Sequence, residues 1–235
     1  MIFRKIQSIF CCLLIWILTG CYAHPLVQSE LDSENKDGPA GLLLLLDGAV
    51  ILAAVDPGYR RIFLTSATTT GELDLLGPGT PIENADAFCN VDSNNPAPLS
   101  TFKAMMHFGA SSGRRGPCST SNCSGGASEH VDWVMTPDTE YRRIDGTTII
   151  GRTNLNAGIF PVDSTGLDAG FSATGTEYWS GMNSDWTFAS LNCGLWLEST
   201  GYNGISGDPT VTFTDALAIG PTGCGSSLPL LCVEQ

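Results

Sequence analysis

Three groups of residues in this sequence have types and spacings that could do chemistry. Gly109-Ala110-Ser111-Ser112-Gly113 fits G-x-S-x-G, a pattern that presents a nucleophilic serine where a strand turns sharply into a helix. Arg114-Arg115-Gly116-Pro117 follows at once, and Gly and Pro oppose a helix there, so a flexible Ser/Gly loop is the expectation. His107 and His130 could act as bases, but no carboxylate can be assigned to orient either one in a triad. Glu129, His130 and Asp132 carry ligand atoms for a metal. On an extended chain only His130 and Asp132 share a face, and one such pair is too few for a site. The reading is therefore no catalytic residue, no metal and no cofactor, with Ser111 hydrolysis kept as a lesser alternative.

The third group is basic. Arginines come in doublets, Arg60-Arg61, Arg114-Arg115 and Arg142-Arg143, and no Lys or Arg follows Arg152. A guanidinium is a planar fork suited to carboxylates and sulfated groups. Arg114, Arg115, Arg142 and Arg143 are the candidate ligand contacts, with Arg114-Arg115 first because they sit in a Cys-bordered loop. The alternative is that each doublet is solvated or paired with nearby acids.

The N-terminus sets the compartment. Arg4 and Lys5 precede an apolar run over 9–18, and Leu18-Thr19-Gly20-Cys21 follows. The run has signal-peptide length and is short for a membrane span. Small residues before a cysteine at this point resemble the bacterial lipobox. Residues 1–20 are thus expected to be a lipoprotein signal peptide and Cys21 the lipid attachment, with an ordinary leader or an uncleaved anchor as alternatives. Acyl chains gain about 0.8 kcal/mol per buried CH₂, so several of them anchor firmly.

Of nine cysteines, Cys11 and Cys12 leave with the leader and Cys21 is set aside. Cys89, Cys118, Cys123, Cys193, Cys224 and Cys232 remain. An even number in an exported chain reads as a three-disulfide framework, and the absence of paired C-x-x-C knuckles argues against zinc. Six cysteines allow fifteen pairings, so their type alone does not choose one.

These residues need elements to position them. Residues 21–59 read as a polar, acidic lipidated tether followed by an apolar segment over 42–55, interrupted by Asp47-Gly48. That segment is expected to be a buried first element or a sticky part of the tether. The compact domain is placed at 60–235. A strand is expected over 61–66. Thr80-Pro81-Ile82-Glu83 is a capping-box helix start with Pro at the first helical position. Ile82, Ala85 and Cys89 recur at helical spacing, turning Cys89 to the core, and Asn94-Asn95-Pro96 stops the helix. Phe102, Ala104, Met106 and Phe108 alternate with more polar residues as in a half-buried strand. Residues 110–126 read as a loop. Further short strands are expected over 131–135, 147–151, 178–182, 211–214 and 230–233. One α+β domain with few helices and long loops results.

Composition narrows the partners. Lys and Arg total 11 against 24 acids, for a net charge of −13, with 43% hydrophobic residues. There is apolar material enough for a core, which excludes an acidic disordered tail. The charge excludes nucleic acid as a partner, because phosphate backbones need a dense basic surface.

From residue 85 onward a series of landmarks carries a resemblance. They are Ala85-Asp86-Ala87-Phe88-Cys89, Phe102-Lys103-Ala104, Ser128-Glu129-His130-Val131-Asp132-Trp133, Tyr178-Trp179-Ser180-Gly181, Cys193-Gly194-Leu195-Trp196 and the closing Leu230-Leu231-Cys232-Val233-Glu234-Gln235. In order and spacing these resemble the leptospiral endostatin-like (Len-type) lipoproteins and their domain-of-unknown-function relatives, and more distantly endostatin. The resemblance implies a C-type-lectin/endostatin-like domain with one main N-terminal helix. It implies the pairs Cys89–Cys232 and Cys193–Cys224, leaving Cys118 with Cys123 for a local bridge.

What the resemblance implies about function is a surface-exposed, outer-membrane lipoprotein. It would act as an adhesin for host extracellular-matrix proteins such as laminin and fibronectin, or for complement regulators, without catalysis. A lectin-like carbohydrate-binding module is the alternative. The signatures of calcium-dependent sugar-binding lectins are missing, although Asn183, Asp185, Asn192, Asn203 and Asp208 lie in the corresponding region. The basic surface that endostatin uses for heparin is not matched here.

Overall fold

The computed structural model describes residues 57–109 and 114–235, together with the backbone of two strands, Leu43–Leu46 (β1) and Ala49–Leu52 (β2). The expected leader, Cys21 and most of the expected tether lie outside the described residues, as do Ser111 and the rest of 110–113. The chain divides into two units, Met1–Val55 and Asp56–Gln235. In the first, β1 and β2 form an antiparallel pair in which Leu43 faces Leu52 and Leu46 faces Ala49. No described helix is long and apolar enough to cross a membrane.

The second unit is α+β: mostly short strands, one main helix and three disulfides. A five-stranded sheet has the order β4-β10-β3-β5-β6. Its strands are Arg60–Leu64 (β3), Phe102–Ala104 (β4), Glu140–Arg142 (β5), Ile149–Arg152 (β6) and Leu231–Glu234 (β10). The last strand runs antiparallel to both β3 and β4, and β3 runs parallel to β5. A three-stranded antiparallel sheet joins Tyr178–Trp179 (β7), Asn203–Gly207 (β8) and Gly220–Gly223 (β9).

Alternate residues on a strand face opposite ways, and here both faces are covered. Ile62, Leu231 and Val233 enter one core with Tyr141, Phe160 and Trp186, whereas Phe63, Leu230 and Cys232 enter another with Phe102, Trp179 and Trp196. That is why β10 reads as an unbroken buried run rather than as an alternating strand.

Helix α1 spans Pro81–Val91. Thr80 and Glu83 form the reciprocal capping box, and Pro81 stands where no backbone donor is needed. Its buried face includes Ile82, Ala85 and Cys89. From that face Cys89 bonds Cys232. The two other bridges are Cys118–Cys123 and Cys193–Cys224. In the chain-entropy account, closing loops of 143 and 31 residues contributes about 5 and about 3.5–4 kcal/mol respectively.

The alternation over 102–108 holds: Phe102, Ala104, Met106 and Phe108 all enter the second core. Only the first three residues lie in a strand, because the chain then leaves the sheet, with the Met105 amide donating to Leu231 and the His107 amide to Ser180. Two expected strands are absent from the described residues. Over 131–135 there is a single bridge, Val131 with Gly116, and Asp132 takes a left-handed backbone with φ of 44°. Over 211–214 the chain turns into a short 3-10 segment, Thr214–Ala216.

Candidate functional site

Four consecutive residues, Cys193–Trp196, wind the wrong way. Their φ values are 52°, 61°, 67° and 65°, so this is one turn of left-handed helix. Only Gly194 adopts that conformation freely. For Cys193, Leu195 and Trp196 the strain is roughly 1–2 kcal/mol per residue.

The surroundings hold the turn in place. Cys193 is bonded to Cys224, and Gly71 lies so close to its sulfur that no Cβ would fit. Asn192 accepts from the Leu195 amide through its side chain at 3.1 Å. The amides of Leu197 and Glu198 both donate to the Cys193 carbonyl. Trp196 is fully buried, edge-on to Trp179 at 5.7 Å. Strain that a fold over-determines in this way marks places where geometry serves a purpose.

What the turn presents is apolar. Leu195 is 36% exposed and, with Phe188, also 36% exposed, closes over Gly109 so tightly that a Cβ there would clash with both. Leu191, Leu197 and Tyr202 on the same stretch are exposed too, Tyr202 at 54%. Phe188 also walls a cleft of about 210 Å³, together with His107, Phe108, Arg114, Glu129 and Val131, among others. Pockets for drug-sized ligands usually measure about 300–1,000 Å³, so this cleft suits one protruding side chain better than a small-molecule substrate.

Its charges are fixed. The His107 ring packs on Phe188 at 4.8 Å, and burial pushes its pKa down to about 4, leaving it neutral at physiological pH. Glu129 accepts from the Thr120 hydroxyl at 2.6 Å, the Thr120 and Ser119 amides, the Ser119 hydroxyl and the Gly125 amide. The Thr120 hydroxyl and then these amides hold its pKa at about 2. Glu129 is thereby an anchor for the loop bridged by Cys118–Cys123.

Arg115 does not fit its role as a ligand contact. It is 1% exposed, with its guanidinium on Asp86 at 2.6 and 2.8 Å, on Asp132 at 2.6 Å and on the Ala104 carbonyl at 3.0 Å. Asp132 also receives Lys103. The sequence placed Arg115 in a mobile loop; two carboxylates distant in sequence draw it inward instead. Arg114 lines the cleft. Arg142 is ion-paired with Glu140 and stacked over Tyr59 at 4.2 Å. Arg143 lies on another part of the surface, in a second hollow.

Glu129, His130 and Asp132 do not converge. Glu129 faces the 119–125 loop, His130 meets the Ala157 carbonyl at 2.7 Å, and Asp132 faces Arg115. Among the described residues no cluster of three possible metal ligands occurs. Asn183, Asp185, Asn192 and Asp208 spend side-chain oxygens or nitrogens on local turns. The exposed apolar residues of the site escaped the sequence reading. Leu191, Leu195 and Leu197 lie with Trp196 around a cysteine in a largely apolar stretch, which resembles core more than surface.

The site is therefore a small cleft beside exposed apolar side chains on a cross-linked α+β domain. The chain belongs to the DUF1554 family, proteins of unknown function, whose profile matches residues 67–212. That span takes in α1, the left-handed turn and all residues of the cleft. No curated protein sequence matches the chain.

Proposed function

We propose that this chain is a lipid-anchored bacterial surface protein of the endostatin-like lipoprotein type. Its domain binds host extracellular-matrix proteins, laminin or fibronectin, or complement regulators, and performs no catalysis. The observation that carries this reading is the strained left-handed turn, which holds Leu195 outward beside Phe188. Conformational energy spent on exposing an apolar side chain is compensated when a partner covers it. Rigid aromatic and aliphatic anchors around a small cleft are what a protein partner uses.

A C-type-lectin-like domain is supported by the pairing of first and last strands, by the helix-to-last-strand disulfide and by the second disulfide in the long-loop region. Anchorage through Cys21 rests on the lipobox-like Leu18-Thr19-Gly20-Cys21, and exposure at the outer membrane on the resemblance to the leptospiral lipoproteins.

The test is saturable binding of the full chain, purified in detergent, to immobilised laminin, fibronectin and complement regulators at physiological salt. Phe188→Ser with Leu195→Ser should reduce it at least tenfold. Protease treatment of intact cells should remove the domain. Absence of saturable binding to all of these ligands, or a domain shielded from the protease, overturns the reading.

A further inference from the structure

The arginines of this domain divide by what they touch. Arg61 is paired with Glu234, Arg115 with Asp86 and Asp132, Arg142 with Glu140, and Arg152 with Asp138. Arg143 differs from these four. It is half-buried, and its Nε donates to the Gly170 carbonyl at 2.8 Å, which fixes the plane of the guanidinium. Its two terminal Nη groups make no hydrogen bond or ion pair among the described residues. In a chain of net charge −13, Arg143 is thus held by a backbone carbonyl and not by a carboxylate.

Arg143 lines a hollow of about 440 Å³. The hollow lies between the end of β3 (Leu64, Thr65), Asn94 beyond α1, the turn after β5 (Ile144, Asp145) and the 171–175 segment. Its size suits one or two sugar rings. A partly desolvated guanidinium with a fixed plane and two free donors is built for bidentate contact with a carboxylate.

The other walls select what the carboxylate is attached to. Asp145 is committed to the turn: it accepts from the amides of Thr147 and Thr148 at 2.8 Å each and from the Thr148 hydroxyl at 2.6 Å. The Thr148 hydroxyl and those amides keep it an anion. It repels a second negative charge but can still accept from a hydroxyl. The amide nitrogen of Asn94 is spent on the Leu64 carbonyl, which leaves its oxygen as an acceptor. Ile144, half exposed, offers an apolar ledge for a C–H face. One carboxylate, several hydroxyl donors and an apolar face describe an acidic sugar. A sulfated or phosphorylated chain with many charges would meet Asp145.

We infer that the hollow around Arg143 binds a monocarboxylate sugar unit, with the carboxylate on the Nη groups of Arg143 and sugar hydroxyls on Asp145 and Asn94. This site is separate from the apolar surface around Leu195 and stands or falls independently of it.

The test titrates the full chain in detergent with N-acetylneuraminic acid, with glucuronic acid, with neutral glucose and with inorganic sulfate, followed by saturation-transfer NMR. Saturable binding of either acidic sugar is expected. The first would point to a sialylated glycan and the second to a uronic-acid polymer. Glucose and sulfate should bind at least tenfold more weakly. Arg143→Gln should lower affinity for the acidic sugar at least tenfold, and Arg143→Lys should restore only part of it. Ala173→Trp puts a bulky ring at an exposed position of the hollow's lining and leaves Arg143 itself unchanged. It should abolish binding with an unchanged melting temperature, which covers the case in which the Arg143 variants fold poorly. No saturable binding of either acidic sugar, equal binding of glucose or sulfate, or full affinity in Ala173→Trp overturns the assignment.

Discussion

The indole nitrogen of Trp196 donates to the carbonyl oxygen of His107 at 3.0 Å. This bond joins the left-handed turn to the segment that walls the cleft, and so ties together the two halves of the proposed recognition surface. Trp196→Phe keeps most of the buried ring but leaves the His107 carbonyl without this donor. A loss of about 1–2 kcal/mol in denaturant-unfolding stability is expected. Affinity for the matrix ligand should fall as well, since Phe188 rests on the His107 ring. A variant of unchanged stability would show that the bond does not couple the turn to the cleft.

Leu195 separates strain from recognition. Leu195→Gly relieves a left-handed residue by about 1 kcal/mol and removes a half-exposed side chain, so stability should stay within about 1 kcal/mol of the parent. Binding should nonetheless fall at least tenfold. Parallel unfolding and binding curves measure both, and retained binding would remove the turn from the recognition surface.

Arg115 is the cation on which α1, the end of β4 and the 131–132 segment converge. Replacing it with Met leaves Asp86 and Asp132 facing each other without their shared partner. A loss of about 3 kcal/mol is expected, at the lower end for a broken buried pair because both carboxylates retain some solvent. Arg115→Lys should recover little, since one ammonium cannot reach both acids and the Ala104 carbonyl. The midpoint of urea unfolding at constant slope measures the effect.

Acid should destabilise the domain in two steps. His107 is depressed from 6.5 to about 4 by burial, so between those values the unfolded chain takes up a proton that the folded one refuses. Stability therefore falls as pH drops through that window, by about 2 kcal/mol after allowance for the part of the ring that solvent reaches. His130, also lowered by burial, adds in the same direction. Glu129 is held at about 2 against 4.5, so its contribution is present above 4.5 and is lost as pH falls towards 2. Unfolding curves at stepped pH should show both limbs. His107→Phe should flatten much of the upper limb and Glu129→Gln the lower.

Much of the framework could be read from the residues. The helix over 81–91 announces itself through Thr80, Pro81 and Glu83, because capping is local chemistry. The core-facing periodicity of Cys89 and the alternation from Phe102 to Phe108 are likewise local. The strands Asn203–Gly207 and Gly220–Gly223 were not readable: they are rich in Gly, include Pro221, and exist because neighbouring chain pairs with them. Arg115 misled for a related reason, since its partners Asp86 and Asp132 lie 29 and 17 residues away in the chain. The left-handed turn had no signal beyond Gly194, as the partners that hold it, Cys224 and Trp179, are distant in the chain.

Strand β3 is the middle strand of its sheet, flanked by β10 on one side and β5 on the other. A pull transmitted along the polypeptide from its N-terminal side reaches this strand before any other of the second unit and loads it lengthwise between two neighbours. Ladder bonds loaded in that direction must give way together instead of peeling singly, and the covalent link from Cys232 to Cys89 passes the load on into the helix. In the lipid-anchored arrangement proposed above, a load between anchor and bound partner would enter the domain along this line of collective resistance.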